Sequence, residues 1–309
     1  MISFLAARIS SALVVVLGVA CLVFLLIHLV PGDPVEVMLG ESARAGDREA
    51  LRHALGLDKP LLTQLTHYLG SLLRLDLGQS LYSKRAITDI LVERLPATAV
   101  LAVVALLVAV AIALPMGMLA ALRQNSWWDF GAMGVAMVGV SIPNFVMGPL
   151  LILLFSFTLG WFPVSGMEGP ASIVLPAVTL GTALAAILSR MVRATLLEVL
   201  HEDFVRTARA KGLSEFRVLT RHALRNATLP ILTLLGLQLG TLLGGAVITE
   251  MVFAWPGIGQ LTVEAIQRRD YPLLQACVLV ISVAYVTVNT LTDVLYAWLD
   301  PRIRIQGDF

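Results

Sequence analysis

Long stretches without a charged side chain alternate with short charged connections, and this coarse pattern outweighs any finer periodicity along the chain. A helix crossing about 30 Å of hydrocarbon at about 1.5 Å per residue needs about 20 apolar residues. Six stretches meet or approach that length: 9–30, 97–122, 130–159, 172–189, 228–249 and 275–299. Pro143 interrupts the third, the fourth is the shortest, and the sixth carries Asp293 toward its end. The pattern predicts an all-α polytopic membrane protein, with six transmembrane helices forming a single domain over 1–309. An even count places both termini on one side.

Two connections are longer than turns. In 31–96, Leu61, Leu65, Tyr68, Leu69, Leu72 and Leu73 recur at helical spacing, and Ile87, Ile90 and Leu91 begin a second amphipathic piece that ends at Leu95-Pro96. Neither is long enough to span, so both are expected as short helices at the surface of the bundle or in the lipid interface. In 190–227, Leu197, Leu200, Phe204, Val205 and Ala208 make one face. Gly212 is a candidate helix terminator, and Ser214 with Glu215 a candidate cap and first turn for a second helix through Phe216, Leu219 and Ala223.

Composition agrees with the span pattern, since 58% of the residues are hydrophobic and only 14% charged, where soluble domains carry about a quarter. The net charge of +1 provides no global field for gathering nucleic acid. Local charge is more informative. One set of connections holds 12 Lys and Arg (Arg8, Arg123, eight from Arg190 to Arg225, Arg302 and Arg304), whereas the short connections of the other side hold only Arg268 and Arg269. The positive-inside bias therefore predicts cytoplasmic termini, a cytoplasmic 190–227 segment and an outer 31–96 loop. The first stretch is too long for the apolar core of a signal peptide, and Val30-Pro31-Gly32-Asp33-Pro34 offers no small-x-small cleavage site, so it is expected to be retained. Cys21 and Cys277 lie in apolar runs and define no disulfide framework.

The 190–227 segment reads as a helix, a glycine turn and a second helix. Ala208, Ala210 and Gly212 are small enough for close backbone approach, while Arg206, Arg209 and Lys211 offer donors to carboxylates and carbonyls of another protein. The same charges also suit a basic loop facing water and anionic headgroups.

The run Glu202-Asp203-Phe204-Val205-Arg206-Thr207-Ala208-Arg209-Ala210-Lys211-Gly212-Leu213, followed by Arg221-His222-Ala223-Leu224-Arg225-Asn226-Ala227-Thr228-Leu229-Pro230, resembles the cytoplasmic coupling segment of ABC importer permeases of the dipeptide, oligopeptide, glutathione and nickel family. Other motifs of that family stand in the same order: Leu29-Val30-Pro31-Gly32-Asp33-Pro34, Leu55-Gly56-Leu57-Asp58-Lys59-Pro60, Arg94-Leu95-Pro96-Ala97-Thr98, Phe253-Ala254-Trp255-Pro256-Gly257-Ile258-Gly259, Arg269-Asp270-Tyr271-Pro272 and Asp300-Pro301-Arg302-Ile303-Arg304. Arg206-Thr207-Ala208 occupies the place of the Glu-Ala-Ala of other permeases, and their Leu-Pro pair appears later, at Leu229-Pro230, which is similar to the peptide branch. The resemblance implies a second, homologous permease subunit, two cytoplasmic ATP-binding subunits that use ATP and magnesium, and an extracytoplasmic solute-binding protein. It assigns ATPase coupling to Phe204, Arg206, Thr207, Ala208, Arg209, Ala210, Lys211, Gly212 and Leu213.

No chemistry of its own is legible in the chain. Lys59, Lys84 and Lys211 are the only lysines and none follows a glycine, so no phosphate loop exists; no zinc-protease pair or G-x-S-x-G elbow occurs, and the histidines form no close ligand pair. The expectation is a transport subunit without a catalytic residue, metal or bound cofactor. Gly236, Gly240 and Gly244 repeat every four residues and suit close helix packing. Glu250 and Asp293 are intramembrane acids, by default functional candidates, although capping or snorkelling would also account for them. The resemblance implies import of short peptides or glutathione, with a nickel or other metal-chelate importer as the alternative. An ion-coupled secondary transporter would need deeper carboxylates, and a membrane assembly factor would not respond to ATP.

Overall fold

The computed structural model describes residues 2–29, 35, 44–54 and 57–299. The motif residues Val30–Pro34, Leu55-Gly56 and Asp300–Arg304 lie outside them. Among the described residues the fold is helical, with one isolated antiparallel bridge between Gln79 and Ala86. The helices are α1 (Ile2–Leu29), α2 (Ala45–Ala54), α3 (Leu61–Leu73), α4 (Ile87–Leu122), α5 (Trp127–Ser141), α6 (Asn144–Leu151, continued by a π-helical stretch over Ile152–Thr158), α7 (Val174–Leu200), α8 (Asp203–Ala210), α9 (Glu215–Arg217, continued by a π-helical stretch over Val218–Ala223), α10 (Leu224–Gly245), α11 (Val247–Val252), α12 (Ile258–Gln267) and α13 (Tyr271–Leu299).

Four segments among the described residues are long and apolar enough to cross a membrane: Arg8–Leu25, Ile87–Leu122, Pro170–Leu200 and Tyr271–Leu295. The chain is a multi-pass membrane protein. Stretch 130–159 is not one rod, because α5 and the α6 segment meet at 102°. Pro143 sits at the bend, where it lacks the amide that a continuous helix would use and forces Ile142 into an extended conformation. Stretch 228–249 is likewise divided at Ala246, between α10 and α11.

Pro96 does not end a helix as the sequence suggests. Helix α4 runs unbroken through it for 36 residues. The carbonyl deprived of its donor belongs to exposed Val92, whereas the buried face through Ile90, Leu91, Ala97, Thr98 and Leu101 continues across the proline. Helix α7 likewise runs past 189 to Leu200.

The core is the parallel contact of α4 with α7. Ala97, Leu101, Ala105, Ala109, Ala113, Gly117 and Ala121 form a buried stripe with a spacing of four, six of the seven being Ala or Gly. These small residues let the backbones approach. A Cβ on Gly117 would stand 2.6 Å from Val192 Cγ1 and 2.8 Å from the Ser189 carbonyl oxygen, and one on Gly181 would stand 2.9 Å from the Ala105 carbonyl oxygen. Helix α10 runs antiparallel to this pair, with Ile231 near the C-terminal end of α7 and Leu242 near its start. Helix α13 packs on α10, and α1 packs on α13.

Candidate functional site

Two assemblies of polar and small residues stand at opposite ends of the bundle. The first is the bracket after α7. Helix α8 buries Val205 and Ala208 with Leu196 and Leu200 of α7 and with Val218, Leu219 and Ala223. Its end is fixed by glycine. Gly212 has a φ of +77°. Its amide donates to the Arg209 carbonyl at 2.9 Å, and the Leu213 amide donates to the Ala208 carbonyl at 3.3 Å. This is a Schellman closure, completed by Leu213 packing into the cluster that holds Ala208.

The remaining bracket residues point away from the bundle. Phe204, Arg206, Thr207, Arg209, Ala210 and Lys211 are exposed, as is Phe216 at 75%. The candidate coupling residues thus divide into a buried anchor (Ala208 with Leu213), a turn (Gly212) and an outward face. Arg209 is not a free charge. It donates to both carboxylate oxygens of Glu215, at 2.8 and 3.1 Å, and so staples the two limbs of the bracket. Ser214 stands at the N-cap position of α9 without a capping hydrogen bond from its side chain.

A buried ion pair holds the next turn of the bundle. Arg193 of α7 donates from Nε to Asp129 Oδ1 at 2.6 Å and from Nη2 to Asp129 Oδ2 at 2.7 Å. The Asn125 amide donates to the same carboxylate at 3.0 Å. Sequence reading passed over this pair because the two residues are 64 positions apart.

The second assembly surrounds Glu250, which is fully buried. Thr98 Oγ1 donates to Glu250 Oε1 at 2.7 Å, and the Gln260 amide donates to Oε2 at 2.9 Å. Thr98 Oγ1 in turn accepts from the Ile258 amide at 2.8 Å, and Trp255 Nε1 donates to the Ala97 carbonyl at 2.9 Å. A carboxylate therefore caps the first turn of α12 and ties it to α4. The spacing of the 253–259 motif follows from this. A Cβ on Gly257 would collide with the Glu250 carboxylate and with Thr98 Oγ1, and one on Gly259 would stand 2.7 Å from Val247 Cα. Glu250 thus occupies a capping position, one of the readings left open by the sequence beside snorkelling and a functional role.

Beside it, Asp270 is buried and accepts from Ser80 Oγ, from the amides of Leu81 at 3.1 Å and Tyr82 at 3.3 Å, and from the Leu273 amide at 3.3 Å. It caps α13 and pins the 80–83 turn to it. The signal was the Asp270-Tyr271-Pro272 order, an N-cap followed by a proline in the first helical turn.

Of the other candidates, Gly236 and Gly240 are closely packed. A Cβ on Gly236 would collide with Thr292, and one on Gly240 would stand 3.0 Å from the Tyr285 ring; Gly244 lies in the same helix. Asp293 pairs with Arg8 of α1 at 3.1 Å, far from Glu250 along the bundle.

Known proteins carry the same architecture. The chain is 45% identical to the di/tripeptide transport system permease protein DppB of Pseudomonas aeruginosa, covering 99% of this chain and 100% of the relative. It is 42% identical to the glutathione transport system permease protein GsiC of Escherichia coli, with the same coverage. The inward-facing MetNI methionine ABC transporter superposes with a TM-score of 0.58 at 19% identity, over 69% of this chain and 97% of that one. An amino acid ABC transporter with histidines gives 0.53 at 17%, over 68% and 94%. Residues 1–102 match the N-terminal module of binding-protein-dependent transport system membrane components, and residues 113–305 match the inner membrane component itself. With the helical architecture and full-length relatives in agreement, the chain belongs to the binding-protein-dependent transport system inner membrane component family, as a transport subunit of the ABC permease type.

Proposed function

We propose that this chain is a permease subunit of an ATP-driven importer of short peptides, with di- and tripeptides and glutathione in its range, in the cytoplasmic membrane of a bacterium. The observation that carries the reading is the end-to-end correspondence with permeases named for those substrates. In this reading the chain has six spans, the bent α5–α6 pair counting as one. The bracket and both termini face the cytoplasm, as the excess of Lys and Arg on that side supports. A homologous permease completes the pathway. Two ATP-binding subunits, which hold the nucleotide and magnesium, dock on Phe204, Arg206, Thr207, Ala210 and Lys211, and an extracytoplasmic binding protein delivers the solute.

The geometry explains how such a subunit transmits motion. Force applied to the bracket passes into α7 through the Val205, Ala208 and Leu200 cluster, and α7 is one unbroken helix from Val174 to Leu200. Its contact with α4 runs from Ala177 and Leu180 beside Ala97–Ala105 to Val192 beside Gly117, and α4 is tied through Thr98 to Glu250 and α12. Displacement at one end therefore moves the polar assembly at the other, as rocking of helix bundles requires.

The test is uptake in vesicles by the reconstituted assembly. ATP-dependent accumulation of L-alanyl-L-alanine or glutathione is expected, abolished when the phosphate-loop lysine of the partner ATPases is replaced. Accumulation of a nickel chelate alone would move the assignment to metal import, and undiminished peptide uptake with both ATPases disabled would move it to an ion-coupled carrier.

A further inference from the structure

A cleft of about 210 Å³ opens beside the Glu250 assembly, between the 80–85 turn, the start of α4 and helix α12. Most charges on its walls are matched within the chain. Arg85 donates to both carboxylate oxygens of Glu93. Asp270 is surrounded by the donors of Ser80, Leu81 and Tyr82. Arg268 lies over the Tyr82 ring, 4.3 Å from its centre.

Two charges of opposite sign are left. Arg94 and Glu264 both line the cleft and are half-buried. Neither has an ion-pair or hydrogen-bonded side-chain partner among the described residues, and the two do not come within ion-pair distance of each other. Arg94 stands in the field of Glu93, which Arg85 already pairs, and of Glu250, which Thr98 and the α12 amides already satisfy. Glu264 precedes Arg268 by four residues, the helical spacing at which such residues usually pair, yet the guanidinium turns to Tyr82 instead. Half-buried charges without a direct hydrogen-bonded side-chain partner have lost part of their hydration. A ligand carrying both complementary charges offsets that loss.

We propose that this cleft receives the charged termini of a short peptide, its carboxylate on Arg94 with Arg268 at the rim and its ammonium on Glu264. The inference rests on the peptide-importer reading and adds a recognition site within this chain. A dipeptide with both ends free is the small zwitterion that the separated pair fits, and a volume of about 210 Å³ accepts its two small residues. Capping either terminus removes one of the two charges the cleft is built to meet.

The test uses the full assembly without its binding protein, and measures binding of L-alanyl-L-alanine and of N-acetyl-L-alanyl-L-alanine amide by saturation-transfer NMR. Wild type is expected to prefer the free dipeptide by about tenfold or more, the scale of one charged hydrogen bond. Arg94→Gln and Glu264→Gln should each weaken dipeptide binding about tenfold and leave the capped analogue unchanged, while Arg94→Lys retains most of the preference and controls for misfolding. Equal affinity for both probes in wild type, or unchanged dipeptide affinity in both Gln variants, overturns the proposal. So does a loss of binding-protein capture with dipeptide binding intact, which would make the cleft a protein contact. ATP-driven dipeptide uptake that persists without discrimination between termini removes only the cleft, whereas absence of uptake for every peptide removes the function reading as well.

Discussion

Asp129, at the start of α5, and Arg193, near the end of α7, share two charge-assisted hydrogen bonds, with the Asp129 side chain buried and the Arg193 side chain 26% exposed. This pair joins the bent α5–α6 unit to the helix that carries the bracket. Replacing one partner leaves the other ionised in a site with little water, so Asp129→Asn is expected to destabilise the protein by about 2–4 kcal/mol. Thermal unfolding in detergent measures it, and a loss below about 0.5 kcal/mol would show the pair to be incidental.

Gly212 tests the bracket. At a φ of +77° an alanine is strained by about 1 kcal/mol. Proline cannot adopt that angle, and would also remove the amide that donates to Arg209. Gly212→Pro is expected to insert normally yet lose ATP-dependent uptake, with Gly212→Ala intermediate. Wild-type uptake and substrate-stimulated ATPase in the proline variant would remove the coupling role. Arg209→Glu acts differently from a simple charge reversal on a docking face, because it sets two carboxylates against each other across the turn. Arg209→Glu with Glu215→Arg should recover uptake if the staple matters more than the exposed charge.

The Glu250 assembly makes a prediction about coupling between mutations. Gly257→Ala places a methyl against the Glu250 carboxylate and Thr98, and overpacking of this kind costs about 1–3 kcal/mol. Glu250→Ala removes the cap but makes room for the methyl. The double variant should therefore be less destabilised than the sum of the two singles, by about 0.5 kcal/mol or more in a double-mutant cycle. Strict additivity would mean that the glycine is not shaped by the carboxylate.

Much of this was legible along the chain, and the exceptions share a cause. The long apolar segments of α1, α4, α7 and α13 and the glycine stop at Gly212 are local signals, set by length, hydropathy and one positive φ. The continuation of α4 through Pro96 was not, because a proline removes one bond but a buried face on both sides of it decides the outcome. The spacing of Gly236, Gly240 and Gly244 drew attention to glycine, while the same four-residue spacing on α4, written mostly in alanine, passed as ordinary apolar sequence although it forms the central contact. Glu250 was visible as an acid, but its partners Thr98 and Gln260 depend on how α12 folds back. Asp129 and Arg193 carry no local signal of their pairing, because 64 residues separate them.

Orientation is the last expectation, and Ser83 and Ser214 are suited to test it. Both are exposed, Ser83 in the turn pinned by Asp270 and Ser214 at the tip of the bracket, at opposite ends of the bundle. The Lys and Arg asymmetry predicts that Ser214 is inside, since retaining 12 cations on the cytoplasmic side is favoured over retaining the two of the other short connections. Cys277 is buried and Cys21 partly so; replacing Cys21 with serine therefore leaves little native background. In that variant, an impermeant thiol reagent added to intact cells should label Ser83→Cys and leave Ser214→Cys untouched, and disrupting the cells should make both reactive. Labelling of Ser214→Cys alone in intact cells would invert the topology, and with it the assignment of the bracket to cytoplasmic ATPases and of the Arg94–Glu264 cleft to the outer face.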